Sequence, residues 1–245
     1  MSGRDANTAG CFTGLMSSHP GGTEHTRHML KTAEVYLTEV VQAKSAEAAQ
    51  LGSAVKEMAS QADIDGIPKD QHPMPRILDL GAGNGEAVRI MREMGYEAWG
   101  LDLEAAAGSD PGDDRISGVN AGQDTGSAPH GGFVRRGDML HTDFPDASFD
   151  AVFSQCSFYA SGDVRGALAE SRRILKPHGL LLLSDVFFEE PRNLLAEAGF
   201  STLQEEDMTP AWREFFLRAI WEGSADGTCI PKGKCRYFFV IGRRD

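Results

Sequence analysis

The sequence predicts an α/β domain built on a doubly wound, mostly parallel sheet, and three observations point to it. The first is the stretch Arg76-Ile77-Leu78-Asp79-Leu80-Gly81-Ala82-Gly83-Asn84-Gly85, an apolar run that ends in an acid and three alternating glycines. The second is Glu86-Ala87-Val88-Arg89-Ile90-Met91, an amphipathic helical pattern that follows at once. Strand, glycine-rich turn and helix in that order open a doubly wound domain. The third is length: 245 residues accommodate one such domain with decorations.

The glycine turn has a mechanical purpose. Without Cβ atoms it can take positive φ and let a ligand lie against the backbone. The first amides of the next helix then face that ligand. A dinucleotide fingerprint would place a third glycine where Glu86 stands, which disfavours a nucleotide oxidoreductase. Asp79, beside the turn, suits a ligand with a cationic amino group better than a pyrophosphate.

Bulk composition narrows the function further. Hydrophobic content of 41% and charged content of 24% are ordinary for a soluble globular chain. A formal net charge of −12 argues against a polyanionic partner, since nucleic-acid binding calls for a basic face. No apolar stretch reaches the length of a membrane span, and no secretory leader pattern is seen. Cys11, Cys156, Cys229 and Cys235 match no zinc spacing, so no metal site is expected. They read as reduced thiols of a cytoplasmic protein.

Residues 1–18 are polar and unpatterned and are expected to form a disordered tail. Residues 19–75 are expected to form a helical cap. Thr23 can cap a first helix with Thr26, Met29, Leu30 and Ala33 on its apolar face. Val35 to Gln61 reads as one long helix or two shorter ones, with a lid or a homodimer contact as open roles. Residues 76–245 form the domain proper. Ala98-Trp99-Gly100-Leu101-Asp102-Leu103 is a second strand ending in an acid placed to accept both hydroxyls of a ribose. Residues 105–132, crowded with Gly, Ser, Asp, Asn and Pro, are expected to form a mobile insertion.

Phe133 to Leu140 covers the third strand and its exit, and Phe149 to Ser154 the fourth. Arg173 to Gly179 closes a helix before strand five (Leu180 to Asp185). Pro191 to Ala198 is a helix, and Gly199-Phe200-Ser201-Thr202-Leu203 opens strand six. Ala211 to Trp221 carries Trp212, Phe215, Phe216 and Ile220 at helical spacing, a stripe better explained by core packing than by substrate contact. Arg236 to Gly242 is the last strand.

Gly81-x-Gly83-x-Gly85 preceded by Asp79 resembles motif I of the class I S-adenosylmethionine (SAM)-dependent methyltransferases. Phe144-Pro145-Asp146-Ala147-Ser148-Phe149-Asp150-Ala151-Val152 and Leu175-Lys176-Pro177-His178-Gly179 resemble the small-molecule enzymes of ubiquinone and menaquinone biosynthesis. The resemblance implies a Rossmann-like seven-stranded sheet with its last strand antiparallel between strands five and six, and SAM as cofactor. It implies that Asp79, Gly81, Ala82, Gly83 and Gly85 hold the methionine end. Asp102 and Leu103 would hold the ribose, Asp138 and Met139 the adenine, with Gly22 reaching the cofactor from the helical cap. Ser154, Gln155 and Cys156 would border the methyl group, with Cys156 nearest the acceptor.

The expected activity is methyl transfer to a small molecule. Two alternatives stay open. Ser154-Gln155-Cys156 resembles the Ser-Asn-Cys segment of arsenite methyltransferases, whose matching thiol holds As(III), although Gln155 replaces Asn. A SAM-binding partner protein without turnover is the other. His141, Tyr159 and Asp185 are further polar candidates at strand ends, none assigned as base.

Overall fold

The computed structural model describes residues 20–58, 74–105, 133–223 and 233–245. The expected tail, most of the expected insertion, and Cys11 and Cys229 lie outside them. Seven strands form one sheet: β1 (Arg76–Leu80), β2 (Glu97–Asp102), β3 (Val134–Arg136), β4 (Phe149–Gln155), β5 (Leu175–Phe187), β6 (Phe200–Asp207) and β7 (Arg236–Arg244). Their spatial order is β3-β2-β1-β4-β5-β7-β6. All neighbours run parallel except β7, which is antiparallel to both β5 and β6. The doubly wound sheet with a reversed last strand is therefore the observed fold.

Helices α1 (Gly22–Met58) and α2 (Glu86–Glu93) cover one face. Met29, Leu30, Ala33 and Leu37 of α1 and Val88, Ile90 and Met91 of α2 pack on Ile77, Ala98, Phe153, Leu182 and Phe239. Helices α3 (Val164–Ile174) and α4 (Pro191–Glu197) cover the other face. There Leu168, Ile174, Leu194 and Leu195 meet Leu78, Leu80, Val152, Leu181 and Leu183. The central strands are buried on both sides, which is why β4 and most of β5 read as near-continuous apolar runs. Helix α5 (Thr209–Trp221) closes a third, smaller cluster in which Trp212 and Phe216 pack with Val186, Cys235 and Tyr237.

The structure differs from the sequence reading in two elements. The cap is one continuous helix starting at Gly22, ahead of the expected cap residue Thr23. Strand five begins at Leu175, five residues early, because Lys176 to Gly179 is absorbed into it as an irregularity. His178 takes the left-handed conformation there, with φ of 62°.

Three strands run outward from β1 to β3, and the chain then returns to place β4 on the other side of β1. That reversal opens a crevice between the carboxyl ends of β1 and β4, the place where doubly wound sheets bind ligands.

Candidate functional site

The chain leaves β1 through the glycine turn and leaves β4 through Cys156-Ser157, so the two exits face each other across the crevice. They touch: Ser157 Oγ donates to the Gly81 carbonyl at 3.2 Å and to the Gln155 carbonyl at 2.9 Å. Gly81 has a φ of 80°, and a Cβ there would overlap Ser157 Cβ and Oγ and come 3.2 Å from Met139 Cε. Gly83, at φ 53°, has nothing within 4 Å of where a Cβ would stand. One glycine admits protein against the backbone, and the other leaves its backbone open. Gly85 caps α2 in the left-handed conformation.

Asp102 at the end of β2 ties the turn to the second strand. Its Oδ2 accepts from the Gly83 N–H at 2.8 Å and its Oδ1 from the Glu104 N–H at 2.8 Å. An ionised carboxylate has about four acceptor sites, so each oxygen keeps capacity for a further donor such as a ribose hydroxyl. Leu103 beside it is 63% exposed, an apolar surface at the mouth of the crevice. Asp138 Oδ1 accepts from the Leu140 N–H at 2.9 Å, a short local turn that presents Met139 toward Gly81.

Asp79 is buried at 3% exposure. Burial, and secondarily the charge of Asp102, push its carboxyl up to about 8 from an ordinary 3.8. No cation among the described residues contributes to its environment. A ligand ammonium would restore the charged form. The open backbone at Gly83, the free acceptor capacity of Asp102 and the uncompensated acid at Asp79 together fit an amino-acid nucleoside such as SAM.

The β4 side is more enclosed. Ser154 Oγ donates to the Leu80 carbonyl at 2.8 Å, bracing β4 to β1. The buried Gln155 accepts from Thr26 Oγ1 of α1 at 2.9 Å, four residues after Gly22, so the cap is bonded to the end of β4. Cys156, partly buried with a φ of 57°, places Sγ 3.0 Å from Tyr237 Oη. Burial, then the charge of Asp185, push its thiol up to about 12, partly offset by the Tyr237 bond. It is a neutral thiol at neutral pH.

Asp185 is buried as well. Its oxygens accept from the N–H groups of Phe158, Tyr159 and Val186 at 2.9, 3.1 and 2.7 Å. Burial still raises it to about 6. Those bonds make it the brace of the loop after β4. His141 is exposed and Tyr159 partly buried, and Tyr159 packs on Phe188 with ring centroids 5.6 Å apart.

Sequence reasoning missed Ser157, which closes the crevice over Gly81, and also Thr26, His25, Ser184 and Tyr237. Ser157 was legible as the last residue of Ser154-Gln155-Cys156-Ser157; the others are brought in by contacts 53 to 159 residues apart in sequence.

Residues 78–183 match the family model described as a methyltransferase domain. The chain is 34% identical over 132 residues to the glycine/sarcosine/dimethylglycine N-methyltransferase of Actinopolyspora halophila, covering 54% of this chain and 21% of that protein. It is 32% identical over 113 residues to the malonyl-[acyl-carrier protein] O-methyltransferase of Serratia marcescens, covering 46% of this chain and 39% of that one. The chain thus spans well under half the length of these curated relatives. The geranyl diphosphate C-methyltransferase of Streptomyces coelicolor A3(2), solved with S-adenosyl-L-homocysteine, superposes with a TM-score of 0.51 at 19% identity, covering 71% of this chain and 70% of that one. That likeness is one of fold. The domain match, over less than half of the chain, and the sheet topology together support a class I SAM-dependent methyltransferase.

Proposed function

We propose that this chain is a class I SAM-dependent methyltransferase that transfers a methyl group from SAM to a small-molecule acceptor, in the crevice between the ends of β1 and β4. The observation that carries the reading is the meeting of Ser157 with Gly81 at the sheet's point of reversal, with Asp102 bound to Gly83 beside it. When bound, SAM supplies an activated methyl on a sulfonium. Asp79 faces its amino-acid end and the backbone of Gly81, Ala82, Gly83 and Gly85 cradles it. Asp102 accepts the ribose hydroxyls over Leu103, Asp138 and Met139 receive the adenine, and Gly22 closes from the cap. Ser154 holds β4 to β1, while Gln155 and Cys156 border the methyl. The protein's contribution is orientation in a site from which water is excluded.

No described helix is long and apolar enough to cross a membrane. Cys156 forms no disulfide among the described residues, which suits the reducing cytoplasm in which we place the enzyme. The As(III) alternative is not favoured. A metalloid ligand needs thiolates, whereas the Cys156 thiol is raised and hydrogen-bonded to Tyr237.

Calorimetry with SAM and S-adenosylhomocysteine is the first test, followed by a homocysteine-product assay over amine, hydroxyl and thiol acceptors. Binding of both ligands with turnover on at least one acceptor is expected. Binding without product across the whole panel would favour a SAM-binding partner protein, and absence of binding would end the methyltransferase reading.

A further inference from the structure

Four side chains from four elements form an unbroken line of hydrogen bonds on the acceptor side of the crevice. Cys156 Sγ lies 3.0 Å from Tyr237 Oη, Ser184 Oγ lies 3.0 Å from the same oxygen, and His25 Nε2 lies 2.8 Å from Ser184 Oγ. They come from the exit of β4, from β7, from β5 and from α1. Tyr237, Ser184 and His25 are 1%, 0% and 4% exposed, and only Cys156 is partly accessible.

Every member can both donate and accept. As the bonds stand, Ser184 Oγ donates to Tyr237 Oη, which itself donates to the Ser184 carbonyl at 3.3 Å; rotation of the two hydroxyls turns the protons to point from thiol to phenol to hydroxyl to imidazole nitrogen. The line starts beside the crevice and ends at an imidazole, whose ordinary pKa lies near neutrality. Tyr237 is held for this by Trp212, stacked on its ring at 7° with centroids 6.1 Å apart. Asp185 of β5 faces the Cys156 end, with Tyr159 and Cys235 beyond it. At the other end His28 stacks on His25 and is paired with Glu206 of β6. Burial and the Asp185 charge disfavour an anion on either Cys156 or Tyr237. A proton taken up at one end must therefore be passed along.

We propose that Cys156, Tyr237, Ser184 and His25 form a proton relay that clears the proton of a protic acceptor (an amine, hydroxyl or thiol) and delivers it to His25. This rests on the methyltransferase reading of the crevice. The acceptor heteroatom's lone pair forms the bond to the methyl carbon as the carbon–sulfur bond breaks with its electrons to sulfur. The heteroatom's proton then goes to Cys156 Sγ while the thiol proton goes to Tyr237 Oη. The phenol proton goes to Ser184 Oγ and the serine proton to His25 Nε2, leaving an imidazolium and a restored thiol. Cys156 is the end that meets substrate; the other three are positioning residues acting through it.

The test uses the full chain and iodoacetamide, with alkylation of Cys156 followed by peptide mass from about pH 5 to 10 and folding checked by circular dichroism. In the parent the rate is expected to rise twice, first near neutrality, where an imidazole can accept the relayed proton, and again toward about pH 10, on the foot of the thiol's own ionisation at about 12. His25→Gln, Ser184→Ala and Tyr237→Phe should each lose the first rise, slowing alkylation about tenfold near neutrality, and keep the second. Thr26→Ala, which cuts only the neighbouring bond from α1 to Gln155, should keep both. Profiles of His25→Gln and Ser184→Ala that superimpose on the parent's would overturn the relay. So would loss of the first rise in Thr26→Ala, which would make helix anchoring the whole effect. Because His25→Gln and Ser184→Ala each break the line without touching the phenol, the relay stays testable even where Tyr237→Phe fails to fold. SAM calorimetry on the parent stands apart: failure there removes the methyltransferase reading whatever the alkylation profile shows.

Discussion

Asp79 and Asp150 are buried carboxylates on adjacent strands, and they are treated in opposite ways. Asp150, 1% exposed at the start of β4, receives Lys176 Nζ at 3.1 Å and the Arg76 N–H at 3.0 Å. Asp79, 3% exposed at the far end of β1, has no such cation among the described residues and is raised to about 8. The amino ends of the strands neutralise their charge internally, whereas the carboxyl ends leave a charge to be neutralised by what binds. Buried acid without compensation destabilises a resting protein, and a site that leaves one in place is built around an incoming cation.

The largest expected effect comes from closing the cradle. Gly81→Ala forces a Cβ onto Ser157 at a φ of 80°, so both strand exits must shift. SAM affinity should fall at least a hundredfold, about 3 kcal/mol, read by calorimetry. A variant that binds as the parent does would show that the contact between the two exits does not shape the cofactor site.

Breaking the compensated end should harm stability and leave binding alone. Lys176→Met removes the cation from Asp150 and keeps the stem. Breaking a buried pair on one side costs about 3–5 kcal/mol; because Lys176 is partly exposed, about 2 kcal/mol is expected in urea unfolding. SAM affinity per folded molecule should stay within about twofold.

The uncompensated end should respond in the other direction. Asp79→Asn removes the ionisable group and should stabilise the ligand-free protein at neutral pH by about 1–2 kcal/mol, while weakening SAM binding. The pH dependence follows from the raised folded-state value. Stability contributed by protonated Asp79 is complete below about 3.8 and is lost as pH rises toward about 8. Asp185 adds a decline of the same sign between about 3.8 and 6. SAM binding should gain strength with pH up to about 8, because the ammonium needs the ionised acid. The difference between parent and Asp79→Asn unfolding curves isolates this term, and a difference independent of pH would remove the assignment.

Local patterns carried the compensated and uncompensated ends unequally into the sequence. The glycine turn, the acids Asp79 and Asp102 and six of the seven strands were legible because each is written in a contiguous run. The reading of Arg173 to Gly179 as the close of a helix missed the bond of Lys176 to Asp150, since that pairing exists only once β4 and β5 lie side by side. Strand five was started late for a related reason: Lys-Pro-His-Gly looks like a turn, yet pairing of Leu175 with Phe149 carries the strand back through it. Gln155 gave no hint that Thr26 would hold it, and Cys156 none that Tyr237 stands behind it. The helix from Gly22 to Met58 was visible in composition, while the two buried bonds that tie it to β4 and β5 are encoded by no periodicity.

The smallest expected effect tests whether Asp79 and Asp102 act together. Asp102 is the second cause of the high Asp79 value, after burial. Asp102→Asn keeps one acceptor oxygen for the turn and removes the charge. The bond from the Gly83 N–H or that from the Glu104 N–H weakens, a loss of about 1 kcal/mol or less at this partly exposed place. Asp79 then ionises more easily, which offsets part of that loss above about pH 6. A double-mutant cycle of Asp79→Asn and Asp102→Asn should therefore give a coupling of about 0.5–1 kcal/mol above about pH 8, where both acids are ionised, that vanishes near about pH 4. Additive behaviour at both pH values would mean that burial alone holds the Asp79 proton, and that the two acids meet different parts of the ligand independently.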